Sequence, residues 1–175
     1  MSIQAIRDNL PAYANDIKLN LSTVLTDQAG LNTKQIAGIA LAASYAVNNK
    51  KITVSLLEDL TASLDEKIIN AAKAAASIMA MNNIYYRFVH LVSDKEYQTL
   101  PAKLRMNIIA NPGVDKLDFE LYSLAVSAIN GCGMCIDSHA HALVKAGLSK
   151  QAIQHAIRIA AVINSLNSVL NIELS

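Results

Sequence analysis

The ten residues Ala71-Ala72-Lys73-Ala74-Ala75-Ala76-Ser77-Ile78-Met79-Ala80 have almost no alternative to an α-helix. Alanine loses no side-chain entropy in a helix, and the run holds neither glycine nor proline. Just upstream, Ser63-Leu64-Asp65-Glu66 reads as a capping box, in which serine and glutamate side chains satisfy free backbone N–H groups reciprocally. One long helix is expected from there to about residue 90. Elsewhere no run alternates with period two well enough to make a strand. Hydrophobic residues form 53% of the chain but aromatics only 5%, so Ala, Leu, Ile and Val must do the packing. Small side chains let helices approach closely, and the expected fold is an all-α bundle.

The remaining helices follow from caps and breakers. Pro11 stands where a first-turn proline would, and Tyr13, Ile17, Leu19 and Leu21 outline a loosely amphipathic first helix. Asn32 or Thr33 caps a second, through Ile36, Ile39, Ala40, Ala43 and Val47 to Asn48-Asn49. A third is expected over residues 52–62. Residues 94–113, punctuated by Pro101 and Pro112, form an irregular connector. Asp115 or Asp118 then caps a helix ending at Asn130-Gly131. Another runs from the cysteines to Gly147, and Ser149 caps the last, to about residue 170.

At 175 residues the chain fits one domain, with two halves over about 1–93 and 114–175. The halves look related. Leu41-Ala42-Ala43-Ser44 matches Leu124-Ala125-Val126-Ser127, Ser63-Leu64-Asp65 answers Gly147-Leu148-Ser149, and Ala75-Ala76-Ser77-Ile78 answers Ala160-Ala161-Val162-Ile163. Such matches arise easily in Ala/Leu-rich sequence, but they fit an ancient duplication. In that alignment Asn49 and Ile52 take the places of Cys132 and Cys135, so chemistry is expected in the second half alone.

A net charge of +1 leaves no electrostatic footprint for nucleic acid. The first nine residues lack the apolar core of a secretory signal, and the longest apolar stretch, residues 36–47, is too short to span a bilayer. A soluble cytoplasmic protein is expected. A mean hydropathy of +0.28 without a membrane span points to an apolar face buried in a homo-oligomer.

The two cysteines fall three residues apart, with a histidine one turn on: Cys132-Gly133-Met134-Cys135-Ile136-Asp137-Ser138-His139. Random placement gives that spacing roughly once in 90 trials, so the pair reads as a dithiol unit. In a reducing compartment a close pair is more often catalytic or metal-binding than structural. Asn130-Gly131 ends one helix, so Cys132 falls at or near the N-cap of the next. Unpaired N–H groups and the helix dipole stabilise a thiolate there, and such settings bring a thiol from about 8.5 towards 7 or below. His139 is four residues after Cys135 on the same face and can act as its base or cationic partner. Glu120 lies at the margin of the apolar stripe Leu117, Leu121, Leu124 and Ala128, where a carboxylate can face the cysteine helix and hold a histidine tautomer.

Glu120, Cys132, Cys135 and His139, spaced as they are, resemble the site of the alkyl hydroperoxide reductase D (AhpD) family, in the carboxymuconolactone decarboxylase-like superfamily. Leu10-Pro11-Ala12-Tyr13-Ala14, Met79-Ala80-Met81-Asn82-Asn83, the stretch from Arg105-Met106-Asn107 to Asn111-Pro112-Gly113, and Ala128-Ile129-Asn130-Gly131-Cys132 look like segments of that family in matching order. The resemblance implies an AhpD-like all-helical bundle with a repeated unit, assembled as a homo-oligomer, a trimer or a multiple of it. It implies an antioxidant oxidoreductase that reduces hydroperoxides and regenerates the peroxiredoxin AhpC. Electrons would come from dihydrolipoamide on a lipoylated 2-oxoacid dehydrogenase component, with no tightly bound cofactor. By position, Cys135 would be the attacking thiolate, passing through a sulfenic acid. Cys132 would be proton donor and disulfide partner, and Glu120 and His139 the proton relay. Met134 stands where the family often has a histidine, so thiolate activation leans on His139.

The rival readings are few. Cys132, Cys135, His139 and Glu120 could instead coordinate zinc, although a structural zinc usually stitches loops and this chain has core enough without one. A non-redox, decarboxylase-like member of the superfamily fits the paired cysteines poorly, and a structural oligomer would leave them without a use. His90, His141 and His155 read as surface or packing residues and Met79 and Met81 as core filler. Tyr85 and Tyr86 read as packing anchors at the end of the long helix, and Tyr122 as a residue lining the site.

Overall fold

The computed structural model describes residues 1–174. Helix α1 spans Ile3–Asp8, and a 3-10 turn at Ala12–Ala14 leads into α2 at Asn15–Thr26. Next come α3 (Thr33–Ala46), α4 (Lys50–Asp59), a 3-10 turn at Thr61–Ser63 and the long α5 (Glu66–Leu91). The connector carries a 3-10 turn at Lys95–Gln98 and the single-turn α6 (Asn107–Ala110). Finally α7 covers Lys116–Ile129, α8 Gly133–Lys145 and α9 Lys150–Glu173. No strand occurs among the described residues, so the chain is all-α as expected.

Local chemistry sets the starts. Asn32 accepts from the Gln35 N–H at 2.9 Å while the Gln35 side chain accepts from the Asn32 N–H at 3.0 Å, a complete capping box. The box expected at Ser63 is not formed. Ser63 is consumed in the 3-10 turn after α4, and Asp65 caps α5 instead, accepting from the Ile68 N–H at 2.9 Å. The same turn ends α4 at Asp59 rather than at residue 62. The N-terminal expectation needs a larger correction. Pro11 precedes the 3-10 turn, not the first turn of an α-helix, and Tyr13 and Leu19 are exposed while α2 buries Leu21 and Val24. A separate α1 precedes them. It buries Ile3 and Ile6, and the Ile3 N–H donates to the Asp59 carboxylate at 2.6 Å.

Helices α3 and α7 form the centre. Each packs on the other and on α5 and α9, with α4 against α3 and α8 against α7. Every residue of α3 from Ile36 to Ser44 is buried, as is every residue of α7 from Leu121 to Ser127. A helix that is apolar all round belongs inside, with neighbours on every face. The two helices approach closely at Gly38, where a Cβ would overlap the Tyr122 ring. Tyr122 is therefore fully buried in the α3–α7 contact and does not line the site, contrary to expectation.

A shared order runs through the two halves. The caps Asn32, Asn49 and Asp65 of α3, α4 and α5 lie 83, 83 and 84 residues before Asp115, Cys132 and Ser149, the caps of α7, α8 and α9. Asn49 accepts from the Ile52 N–H as Cys132 accepts from the Cys135 N–H. Asn48 and Gly131, one residue before each of those caps, both have positive φ, 54° and 69°. No helix among the described residues is long and apolar enough to cross a membrane.

Candidate active site

The turn between α7 and α8 builds the site. The Asn130 N–H closes α7 onto the Val126 carbonyl at 3.0 Å, and Gly131 then takes the left-handed φ of 69° that glycine adopts without a Cβ penalty. That reversal lets the Cys132 N–H donate back to the Ser127 carbonyl at 3.1 Å. Cys132 thereby becomes the N-cap of α8, its Sγ accepting from the Cys135 N–H at 3.3 Å.

Side chains of α5 brace this turn. Asn83 Nδ2 donates to Ser127 Oγ at 2.9 Å, and Asn83 Oδ1 accepts from Asn130 Nδ2, also at 2.9 Å. The Arg87 guanidinium donates to the Asn130 carbonyl at 2.7 Å. Asn83 is 1% exposed and both ends of its amide are used, so the turn ahead of the cysteines is fixed from outside as well as along the chain.

Cys132 and Cys135 are joined as a disulfide, with Cα atoms 5.3 Å apart. Cys132 is 0% exposed and Cys135 6%. Only Cys135 lines the adjoining cavity of about 300 Å3, so it is the sulfur that an incoming molecule can meet. Glu120 and His139 line the same cavity. His139 Nδ1 lies 2.6 Å from Glu120 Oε2, a pairing that spacing along the chain could not specify. A carboxylate on Nδ1 holds the imidazole in one orientation and leaves Nε2 to handle a proton.

The cavity wall also contains residues that the sequence did not assign to the site, among them Tyr86, read there as a packing anchor. Asn82 and Tyr86 come from α5, and Met106 and Ile109 from the connector. Met79, expected as core filler, is buried but forms part of this wall. Met134, between the cysteines, is half exposed and lines both this cavity and a neighbouring groove of about 560 Å3. That groove takes Tyr85, Tyr86 and Tyr97, with His90 at its edge. His141 is exposed, whereas His155 is buried in α9 and away from the cavity. No group of three or more His, Cys, Asp or Glu side chains that could hold a metal occurs among the described residues, the two sulfurs being bonded to each other.

Away from the cavity, burial pushes the Tyr122 phenol well above its usual range, with the charges of Asp118 and Asp65 adding to the effect. Burial likewise raises the Asp118 carboxyl, against a hydrogen bond from Gln35 at 2.8 Å. Both groups belong to the α3–α7 packing.

Fold and site together define a class: an all-helical protein that mounts a thiol–disulfide pair on a helix N-terminus beside a carboxylate–histidine pair. Comparison with known proteins narrows it. The profile of the carboxymuconolactone decarboxylase family matches residues 95–172, from the connector through α9. Alkyl hydroperoxide reductase AhpD of Coxiella burnetii (strain RSA 493 / Nine Mile phase I) is 62% identical over 173 residues, 98% of either chain. The AhpD proteins of Maricaulis maris (strain MCS10) and Brucella abortus (strain 2308) are 54% and 53% identical, covering 99% and 94% of each chain. The chain belongs to the AhpD family.

Proposed function

We infer that this chain is an antioxidant thiol oxidoreductase of the alkyl hydroperoxide reductase type, cycling Cys132 and Cys135 between dithiol and disulfide. The observation that carries the reading is the shared cavity, into which Cys135 and the Glu120–His139 pair all open. In the reduced enzyme His139 takes the Cys135 proton, with Glu120 holding the imidazolium. The Cys135 thiolate attacks the terminal oxygen of the hydroperoxide. The S–O bond forms, the O–O bond breaks, and the alkoxide leaves with a proton from Cys132. The Cys132 thiolate then attacks the Cys135 sulfenic acid. The disulfide forms and hydroxide departs, taking the proton from His139 to become water. A dithiol donor restores both thiols by exchange.

On the same reading the donor is dihydrolipoamide on a lipoylated 2-oxoacid dehydrogenase component, and the oxidised peroxiredoxin AhpC is a second acceptor. No tightly bound cofactor is needed, because all the electrons reside on sulfur. The setting is cytoplasmic, where a dithiol donor keeps the pair cycling. Exposed Ile84, Phe88 and Leu91 on α5 and Val144 on α8 are the apolar surface that a homo-oligomer, a trimer or a multiple of it, would cover. A reconstituted assay with dihydrolipoamide, with and without peroxiredoxin, tests the whole reading. Cys135→Ser is expected to abolish both hydroperoxide consumption and peroxiredoxin reduction; retention of either overturns the role of Cys135.

A further inference from the structure

We propose that the groove beside Met134 is a subsite for the aliphatic tail of an organic hydroperoxide, and that Met134 and Tyr86 set the chain length the site accepts. The inference deepens the hydroperoxide reading above and rests on it. The cavity into which Cys135 opens holds about 300 Å3, the lower end of the roughly 300–1,000 Å3 of a small-molecule pocket. The groove adds about 560 Å3. Met134 and Tyr86 line both spaces, so cavity and groove adjoin at those two residues. A peroxide with its O–O bond at Cys135 and a tail too long for the cavity has the groove as its continuation. Met134 is 45% exposed, and an unbranched thioether with three rotatable bonds adapts to what lies against it.

A second space on the other flank of the cavity shows why a tail takes this side. It holds about 460 Å3, shares Met106, Ile109 and Glu120 with the cavity, and adds Lys116. Ionised side chains hold water, and hydrocarbon gains nothing beside them. The groove has no Asp, Glu, Lys or Arg in its lining. Tyr85, Tyr86 and Tyr97 supply ring surface there, and Val89, Leu100 and Ala102 aliphatic surface. With no permanent charge to fix an ionic ligand, the lining fits a neutral hydrocarbon chain. Its rings are held from behind. Tyr85 and Tyr86 meet edge to face with centroids 5.2 Å apart, and Tyr97 meets Phe88 in the same way, also at 5.2 Å. The Tyr86 hydroxyl donates to Met106 Sδ at 3.9 Å. The exposed Ile84, Phe88, Leu91 and Val144, assigned above to contacts between copies, do not line the groove. Tail and second copy therefore claim different residues.

The test measures kcat/KM for n-butyl, n-hexyl and n-octyl hydroperoxide, with saturating dithiothreitol as reductant. Full burial of one methylene strengthens binding roughly four-fold. In a groove that stays partly open to solvent, the series should rise at least about ten-fold from n-butyl to n-octyl. The rise should appear mostly in KM, because the tail makes the same contacts before and during O–O cleavage. Ala102→Trp, which fills the groove from the connector, and Leu100→Glu, which puts a charge in it, should flatten the series to within about two-fold. Met134→Trp, which blocks the passage, should flatten it as well. Lys116→Ala, on the opposite flank, should keep the rise. A wild-type series without a rise, or a rise that survives any of the first three variants, overturns the proposal. So does an equal loss for all three peroxides; a changed molar mass by light scattering in the same variant would then assign the groove to a second copy. The hydroperoxide reading fails separately: wild type would then consume none of the three faster than Cys135→Ser.

Discussion

Replacing Asn83 with leucine removes a side chain of nearly the same volume but cuts two hydrogen bonds, to Ser127 Oγ and from Asn130 Nδ2, each 2.9 Å long. Each contributes about 1 kcal/mol net, and a buried group left without a partner costs about 1–3 kcal/mol more. Ser127 is fully buried, yet it has a fallback. Its counterpart in the first half, Ser44, donates to the Leu41 carbonyl at 2.7 Å, and Ser127 could turn to the matching carbonyl of Leu124. Asn130 is only half-buried and can recover its bond from water. Allowing for both, the loss should be about 2–3 kcal/mol. Urea unfolding of the oxidised protein, followed by far-UV circular dichroism at fixed protein concentration, measures it. In a Ser127→Ala background the same substitution should cost about 1 kcal/mol less, since one of the two bonds is already gone. A loss below about 1 kcal/mol, or no coupling to Ser127, would show that the turn ahead of Cys132 stands without its brace from α5. The neighbouring Asn82 is also buried, but its Oδ1 has no hydrogen-bond partner, so Asn82→Leu should raise stability in the same urea experiment. Adjacent asparagines on one helix should move stability in opposite directions.

Further outcomes follow from the same geometry. His139→Ala should lower hydroperoxide turnover by about 10²–10⁴-fold while shifting stability by no more than about 1 kcal/mol, because the pair it forms with Glu120 is partly open to solvent; steady-state kinetics beside thermal melts checks both. Tyr122→Phe removes a buried hydroxyl that has no partner, so stability at neutral pH should hold or rise. The folded chain keeps this phenol protonated at a pH where the unfolded chain has released its proton. Wild-type stability should therefore fall as pH climbs past the ordinary tyrosine value of about 10. The phenylalanine variant should lose less over that window, and identical alkaline profiles in pH-dependent urea melts would refute the account.

What could be read in advance was whatever the chain decides locally. The caps Asn32, Asp115 and Ser149, the alanine run in α5 and the position of Cys132 at a helix start all depend on residues within one turn of each other. The misreadings arose where a distant group intervenes. Helix α1 is six residues long, and its first N–H is satisfied by Asp59, far along the chain. Ser63 looked like a cap because nothing in its neighbours announces the 3-10 turn that absorbs it. At the site, the cysteines and His139 share one helix and could be grouped by spacing. Glu120 reaches His139 only because α7 and α8 pack together, and Met106 enters the wall only because the connector returns to α5, where the Tyr86 hydroxyl donates to Met106 Sδ at 3.9 Å. Asn82 and Asn83 read alike in sequence; their opposite circumstances exist only once α7 lies beside α5.

The disulfide closes a loop of four residues within the opening turn of α8, from its cap to its third position. A crosslink restrains an unfolded chain according to the loop it closes, about 3 kcal/mol for fifteen residues and less for shorter ones. Here the helix already holds the two positions side by side, so making or breaking the bond asks little of the rest of the molecule. On the proposed cycle, electrons would enter and leave at a single helical turn, and the hydrogen bonds by which α5 braces that turn do not involve the S–S bond.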